Sequence, residues 1–341
     1  MRTVVVTEPG KVEVHTVADP VLPGPAGAIV EVETSAICGS DLHFYDGDLP
    51  LFPVAAGHEA VGRVVEVGAE VRRFRPGQRV LVASVAGCGD CVGCADGDPV
   101  TCVAGGKVFG AGELGGAQSD LLAVPAADFN LLAVPDGVDD EAALLLTDNL
   151  GTGWVAAQRA GLAPGGTAVV LGLGAVGQCA VRSAFLLGAG RVLAVDPVPG
   201  RRARAEDSGA VGVAAEDVTA AILDLTDGRG ADAVIDAVAK DTSLDTAFAT
   251  VRAGGTVSVV GVHDLAPYPL PILMGVFRSV TLAMTTAPVH RTWTDLVPLV
   301  RHGRLDTTGI FTHEFRLDDA AAAYAAVAAR TPDCMKVKLL P

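Results

Sequence analysis

Residues 167–187 read TAVVLGLGAVGQCAVRSAFLL, and this stretch decides the fold. Thr167–Leu171 is a short, uncharged, β-branched run. It enters Gly172-Leu173-Gly174-Ala175-Val176-Gly177 and continues into the helix-forming segment Gln178–Leu187. A strand, the spacing G-x-G-x-x-G and a helix in that order make a turn shaped for a pyrophosphate. Gly172 permits the tight turn and Gly174 lets backbone amides approach the ligand. Gly177 lets helix and strand pack closely, and the helix N-terminus offers its positive dipole to phosphate. Among 41 glycines the pattern alone is weak. The flanking strand and helix strengthen it, as does Asp196, 24 residues after Gly172 at the end of the next strand. An acid there accepts hydrogen bonds from a ribose 2′-hydroxyl and repels a 2′-phosphate, so NAD(H) is favoured over NADP(H). Arg201 and Arg202 follow closely and weaken that preference.

Outward from this turn, strands are expected at Arg191–Val195, Ala233–Ile235 and Thr256–Val260, with helix-length segments between them. That rhythm predicts a parallel, doubly wound sheet. Before residue 150 the texture differs: short β-branched runs at Ile29–Val32 and Ala60–Val67, bounded by Gly and Pro, predict a β-rich region. After about Thr286 helices are expected at Thr294–Arg301 and Asp318–Arg330, with a closing strand at Met335–Leu339. The alanine run Ala320–Ala329 reads most simply as a surface helix. Ala160–Val181 carries no charge, but Pro164 and six glycines make it strand, turn and helix instead of a membrane span.

The 341 residues suffice for about two domains, and half of them are hydrophobic. A formal charge of −15 argues against nucleic acid or anionic membrane as partners. The opening MRTVVVTEPG has too short an apolar run for a secretion signal, so a cytoplasmic protein is expected. Four of the seven cysteines fall within fifteen residues, as Cys88-x2-Cys91-x2-Cys94-x7-Cys102. Such a run reads as a metal site in a reducing compartment. Zinc held by four sulfurs has a closed tetrahedral shell, so this ion would be structural. Cys38, His58 and Asp148 together offer a thiolate, an imidazole and a carboxylate, three ligands that leave a fourth position open. Spacing alone does not assemble them; taken singly, a buried thiol or a hydrogen-bonded imidazole is the simpler reading of each. His15, His263, His290, His302 and His313 have no motif around them. Cys179, Cys334, Trp154 and Trp293 read as packing residues.

With these residues in view, the chain resembles the zinc-containing medium-chain alcohol dehydrogenase family. The resemblance rests on Cys38-Gly-Ser-Asp-Leu-His43, Gly57-His-Glu59, the four-cysteine lobe, the GLGAVG turn with Asp196, and the closing Lys336-Val-Lys-Leu. It implies an α/β chain: a GroES-like β-rich catalytic domain at 1–150 and 286–341, with a zinc lobe at 86–104, around a Rossmann domain at 151–285. It also implies two zinc ions, the catalytic one held by Cys38, His58 and Asp148, although many members carry Cys where Asp148 stands. Glu59 matches a carboxylate beside that zinc, and Asp41 the acid that orients the ligand histidine. Ser40 and His43 match the ends of a proton relay, Thr152 and Val176 residues lining the nicotinamide, and Arg201 one near the adenosine ribose. Where the family often has a basic residue gripping pyrophosphate stands Gly39, with Lys336 as a substitute.

The activity so implied is hydride transfer between an alcohol, or its aldehyde or ketone, and NAD(H). Zinc would polarise the substrate oxygen while Ser40 and His43 relay the proton. A polyol, threonine-like or formaldehyde dehydrogenase of the same family is the second reading, hinted at by Asp148-Asn-Leu-Gly-Thr-Gly. A non-catalytic cofactor-binding scaffold is disfavoured, because Cys38, His58, Ser40 and His43 all remain. Zinc-free quinone reductases lack both metal clusters. Family members are dimers or tetramers whose sheets meet edge to edge, and Val280–Met284 is the expected edge.

Overall fold

Ala28–Ile37 is ten residues long, rich in Ala, Val and Ile, and all but two of its side chains are buried. It lies at the centre of a seven-stranded sheet, paired antiparallel with Ala60–Val67, Leu121–Val124 and Lys336–Leu340. Such length and burial suit a strand covered on both faces. Val30, Val32, Val64 and Leu122 enter one core, and Ile37, Val337 and Leu339 enter another with Phe44 and Tyr324. Each fully buried Val or Leu contributes about 1.5–3 kcal/mol relative to exposure. The sheet continues through Arg79–Val82 to Leu131–Ala133 on one side and to Phe311–Arg316 on the other.

The computed structural model describes residues 1–214 and 216–341. They divide into two units, Met1–Gly151 with Pro288–Pro341, and Thr152–Ala287. The sheet above belongs to the first. The second holds a six-stranded sheet in the order Val211–Val213, Arg191–Val195, Thr167–Leu171, Ala231–Asp236, Val251–Val259, Thr281–Met284. Every pairing in it is parallel. Successive residues serve opposite faces: Ala168, Val170 and Ile235 pack into one core, Val169, Leu171 and Val234 into the other. The doubly wound parallel sheet expected from the sequence is therefore present. No helix among the described residues is long and apolar enough to cross a membrane.

Several expected boundaries move, each for a physical reason. The helix expected from Thr294 begins at Val289, behind Pro288, because Val289, Thr292, Trp293 and Leu296 form one buried stripe. The strand expected from Thr256 begins at Val251, with a register irregularity against Ala231–Asp236 around Gly254-Gly255. The alanine-rich helix, Ala320–Ala328, is more than a surface helix: it buries Ala320, Ala323, Tyr324 and Val327 in the core.

Candidate metal and dinucleotide sites

The four-cysteine lobe builds itself from local turns. Cys91 precedes the one-turn helix Val92–Ala95, Cys94 lies within it, and Cys102 ends the 3-10 turn Pro99–Thr101. The Sγ atoms of Cys88, Cys91, Cys94 and Cys102 all lie within 4.8 Å of one another. Glycine is required for that closeness: a Cβ on Gly87 would stand 2.6 Å from Cys94 Sγ, and one on Gly93 2.4 Å from Thr101 O. The backbone amides of Cys94 and Val103 hold the Cys91 thiol down at about 6, whereas burial pushes Cys94 up to about 12. Four sulfurs with no other donor in the cluster match a closed zinc shell.

The second cluster is assembled by the sheet. Cys38 follows strand Ala28–Ile37, and His58 and Glu59 immediately precede its neighbour Ala60–Val67. Asp148 lies between helices Asp140–Leu145 and Asn149–Arg159. Ligand atoms of Cys38, His58, Glu59 and Asp148 all fall within 4.8 Å of one another. His58 Nε2 is 3.7 Å from Asp148 Oδ2 and 3.9 Å from Glu59 Oε1, and Cys38 Sγ is 3.9 Å from Asp148 Oδ2. Asp41 Oδ1 stands 3.3 Å from His58 Nδ1, and Asp41 Oδ2 accepts from Cys38 N at 2.9 Å. That partner accepts from Nδ1–H and leaves the Nε2 lone pair facing the cluster.

Charge and burial suit the cluster to a cation. Burial disfavours the His58 imidazolium, but the charge of Asp41 and the hydrogen bonds that His58 donates to Asp148, Asp41 and Cys38 outweigh it and raise the pKa well above the usual value. Burial would also raise Asp148, yet His58, Lys336 and Ser84 bring it down to about 2. The negative charge that favours a proton here is also what a metal cation displacing that proton would meet. Among the described residues Glu59 Oε2 is buried with no hydrogen-bond partner, an orphan acceptor that a cation would satisfy. A thiolate, an imidazole and carboxylates are a zinc-competent donor set, and the residues present fit the ion.

The sequence reading missed four contributors to this site. Ser84 Oγ donates to Asp148 Oδ1 at 3.1 Å, and Asn149 Nδ2 donates to Asp148 Oδ2 at 2.8 Å. Gln118 Nε2 donates to Asp41 Oδ2 at 3.2 Å, and Tyr324 Oη donates to Gln118 Oε1 at 2.9 Å. Only Asn149, adjacent to Asp148, had a positional hint. Lys336, offered above as a substitute grip on pyrophosphate, is paired inside the protein. Its side chain is 2% exposed, and Nζ donates to Glu59 Oε1 at 2.6 Å and to Ile37 O at 3.3 Å. An ammonium buried against a carboxylate is not free to bind a ligand phosphate.

Ser40 caps the short helix Asp41–Asp46 without a side-chain cap bond, and its side chain is half-buried. His43, one turn on, has Nδ1 3.1 Å from Asp48 Oδ2. In the second unit Gly172 adopts φ +83°, and a Cβ there would stand 2.3 Å from Val238 Cγ2. A Cβ on Gly177 would lie 1.8 Å from Gly172 O, so no larger residue allows that helix start; beside Gly174 the space is open. Asp196 accepts from Leu173 N and Val198 N, both at 2.8 Å, and Arg201 Nη1 lies 3.8 Å from it. Gln178, unremarked in the sequence, braces the turn by donating to Leu173 O and Arg201 O. Val176 is half-buried at the start of helix Ala175–Leu186, and Thr152 is half-buried on helix Asn149–Arg159.

Comparison with known proteins agrees with this architecture. Residues 24–136 match the alcohol dehydrogenase GroES-like domain, and residues 175–302 the zinc-binding dehydrogenase domain. A Mycobacterium tuberculosis protein named as a probable zinc-binding alcohol dehydrogenase is 56% identical over all of this chain and 89% of its own. An alcohol dehydrogenase of Cupriavidus necator is 30% identical over all of this chain and 99% of its own. Among solved structures, an alcohol dehydrogenase from Thermus sp. ATN1 superposes with TM-score 0.91 at 34% identity, covering 100% of this chain and 99% of its own. The chain belongs to the zinc-containing medium-chain alcohol dehydrogenase family of oxidoreductases.

Proposed function

We propose that the protein is an NAD(H)-linked dehydrogenase of alcohols, or reductase of the matching aldehydes and ketones. Cys38, His58 and Asp148 would hold its catalytic zinc, and Cys88, Cys91, Cys94 and Cys102 its structural zinc. The observation that carries this reading is the convergence of Cys38, His58, Glu59 and Asp148 within 4.8 Å, with Asp41 against His58 Nδ1. When bound, zinc supplies Lewis acidity toward the substrate oxygen, and the nicotinamide supplies the hydride acceptor or donor. Asp41 keeps His58 in the tautomer that presents Nε2. Oxidation of an alcohol releases one proton for each hydride; Ser40 and His43 would stand at the two ends of the relay that carries it to water, Ser40 Oγ giving up its own proton as it takes one. Asp48 accepts from His43 Nδ1, which leaves Nε2 for that exchange.

Gly172, Gly174 and Gly177 would form the pyrophosphate turn, and Asp196 would favour a free ribose 2′-hydroxyl, with Arg201 beside it. Thr152 and Val176 would line the nicotinamide. The catalytic domain is assigned to 1–150 and 286–341 and the dinucleotide domain to 151–285. A homo-dimer or homo-tetramer is supported by the edge strand Thr281–Met284, where Met284 is 64% exposed. A reducing cytoplasm suits the thiolate-rich lobe.

The test is zinc analysis together with a panel of primary, secondary and polyol substrates, formaldehyde and ketones, each with NAD(H) and NADP(H). Nicotinamide absorbance reports turnover and separates the polyol and formaldehyde readings. Cys38→Ser should abolish turnover and remove one of two zinc ions. Near-normal zinc-dependent activity in Cys38→Ser would overturn the site assignment.

A further inference from the structure

We propose that Asn149 is the positioning residue of the second metal cluster, a shared amide donor that pins its anions in the pose a cation needs. The inference rests on the catalytic-zinc reading above. Asn149 is wholly buried, and its carboxamide nitrogen faces three potential ligand atoms at once. Nδ2 lies 2.8 Å from Asp148 Oδ2, 3.2 Å from Glu59 Oε1 and 3.7 Å from Cys38 Sγ. On the other side its Oδ1 is buried without a hydrogen-bond partner among the described residues. Flipping the amide would turn that oxygen onto two carboxylates, so the anions themselves fix its orientation.

Two carboxyls and a sulfur lie within 4.8 Å of one another; as the anions a bound cation needs they would repel one another, and turning any of them away disperses the ligand set. Hydrogen bonds to ionised acceptors are roughly twice as strong as neutral ones. Asn149 supplies such bonds to Asp148 and Glu59 together, while Ser84 holds the second oxygen of Asp148 at 3.1 Å. Gripped on both oxygens, the Asp148 carboxyl cannot rotate. The backbone beneath it is also fixed: Trp293 Nε1 donates to Leu146 O at 2.9 Å and Ser84 N to Thr147 O at 3.1 Å. Asn149 itself opens helix Asn149–Arg159, which sets its Cα.

The experiment compares Asn149→Leu, near-isosteric and without donors, and Asn149→Ala, which no clash can unfold, with the unaltered full chain. Zinc affinity is measured by chelator competition, and Co(II) substitution reads the ligand geometry by absorption. The four-cysteine zinc is the internal control for folding. Expected are retention of that ion and about a 10–100-fold loss of affinity at the second site, the range for removing a hydrogen bond to a metal ligand. Losing the N–H contact to Cys38 should move the cobalt–thiolate charge-transfer band to lower energy. Both variants binding the second zinc within about twofold of the unaltered chain, with an unchanged cobalt spectrum, would overturn the proposal alone. An unaltered chain that binds one zinc, unaffected by Cys38→Ser, would overturn the metal reading and this proposal with it.

Discussion

The Lys336 ammonium donates to Glu59 Oε1 across 2.6 Å, and neither side chain is more than 2% exposed. Strand pairing makes the contact: Lys336–Leu340 runs antiparallel to Ala28–Ile37 with Val337 opposite Ile37, which sets Lys336 beside Cys38. Burial opposes both charges, but Glu59 holds Lys336 above the ordinary ammonium value. The pair places a fixed positive charge behind an anionic cluster.

Breaking a buried pair leaves an uncompensated charge, at a cost of about 3–5 kcal/mol. Lys336→Met should therefore lower stability by about that amount in urea unfolding, as should Glu59→Leu. The double variant should lose less than the two single losses added together. Strict additivity would show that the two groups are not coupled.

In the four-cysteine lobe the amides of Cys94 and Val103 hold Cys91 at about 6, while burial pushes Cys94 up to about 12. After zinc is removed with a chelator, iodoacetamide at pH 7 should alkylate Cys91 first and Cys94 last. Peptide mapping by mass spectrometry reads the order, and equal labelling would contradict the assignment.

His290 Nε2 lies 3.1 Å from Asn130 Oδ1, its ring stacks on Phe129 at 4.2 Å, and Nδ1 is buried without a partner among the described residues. Burial lowers its pKa from 6.5 to about 3. Below about 6.5 the unfolded chain takes up a proton that the native chain refuses, so this contribution is complete above that pH and is lost on acidification toward 3. The loss approaches 1.4 kcal/mol per pH unit, an order-of-magnitude slope for one proton. His290→Gln should flatten the pH dependence of unfolding free energy by about that slope between pH 6 and 4. An unchanged slope would place the acid sensitivity elsewhere.

Asp196 has two roles that one substitution separates. Asp196→Asn keeps an acceptor for one of the two amides it binds but removes the charge that would repel a 2′-phosphate. The KM for NAD should rise about tenfold, equivalent to about 1.4 kcal/mol, while the KM for NADP falls. Steady-state kinetics with both cofactors checks this; parallel changes in the two KM values would remove Asp196 from cofactor choice.

The glycine turn and the four-cysteine lobe were legible in the sequence because each is a short-range object. In the turn, Gly177 is forced by a backbone oxygen only five residues away. In the lobe, four sulfurs within fifteen residues converge through local turns. The parallel sheet was legible for a similar reason: its strands are uncharged β-branched runs separated by helices. Strand ends were less so, since the burial of Trp293 and the irregularity at Gly254-Gly255 are decided by packing partners far along the chain.

The second cluster is of the other kind. Cys38 and Asp148 stand 110 residues apart, and only the resemblance joined them before the sheet register did. The register also gave Lys336 to Glu59, against expectation, while the packing of helices and loops on the sheet brought Asn149, Ser84, Gln118 and Tyr324 into the site. Local sequence fixes which side chains can ligate and how a tight turn must bend. Which buried charges meet depends on long-range strand pairing, whose geometry no short window of residues contains.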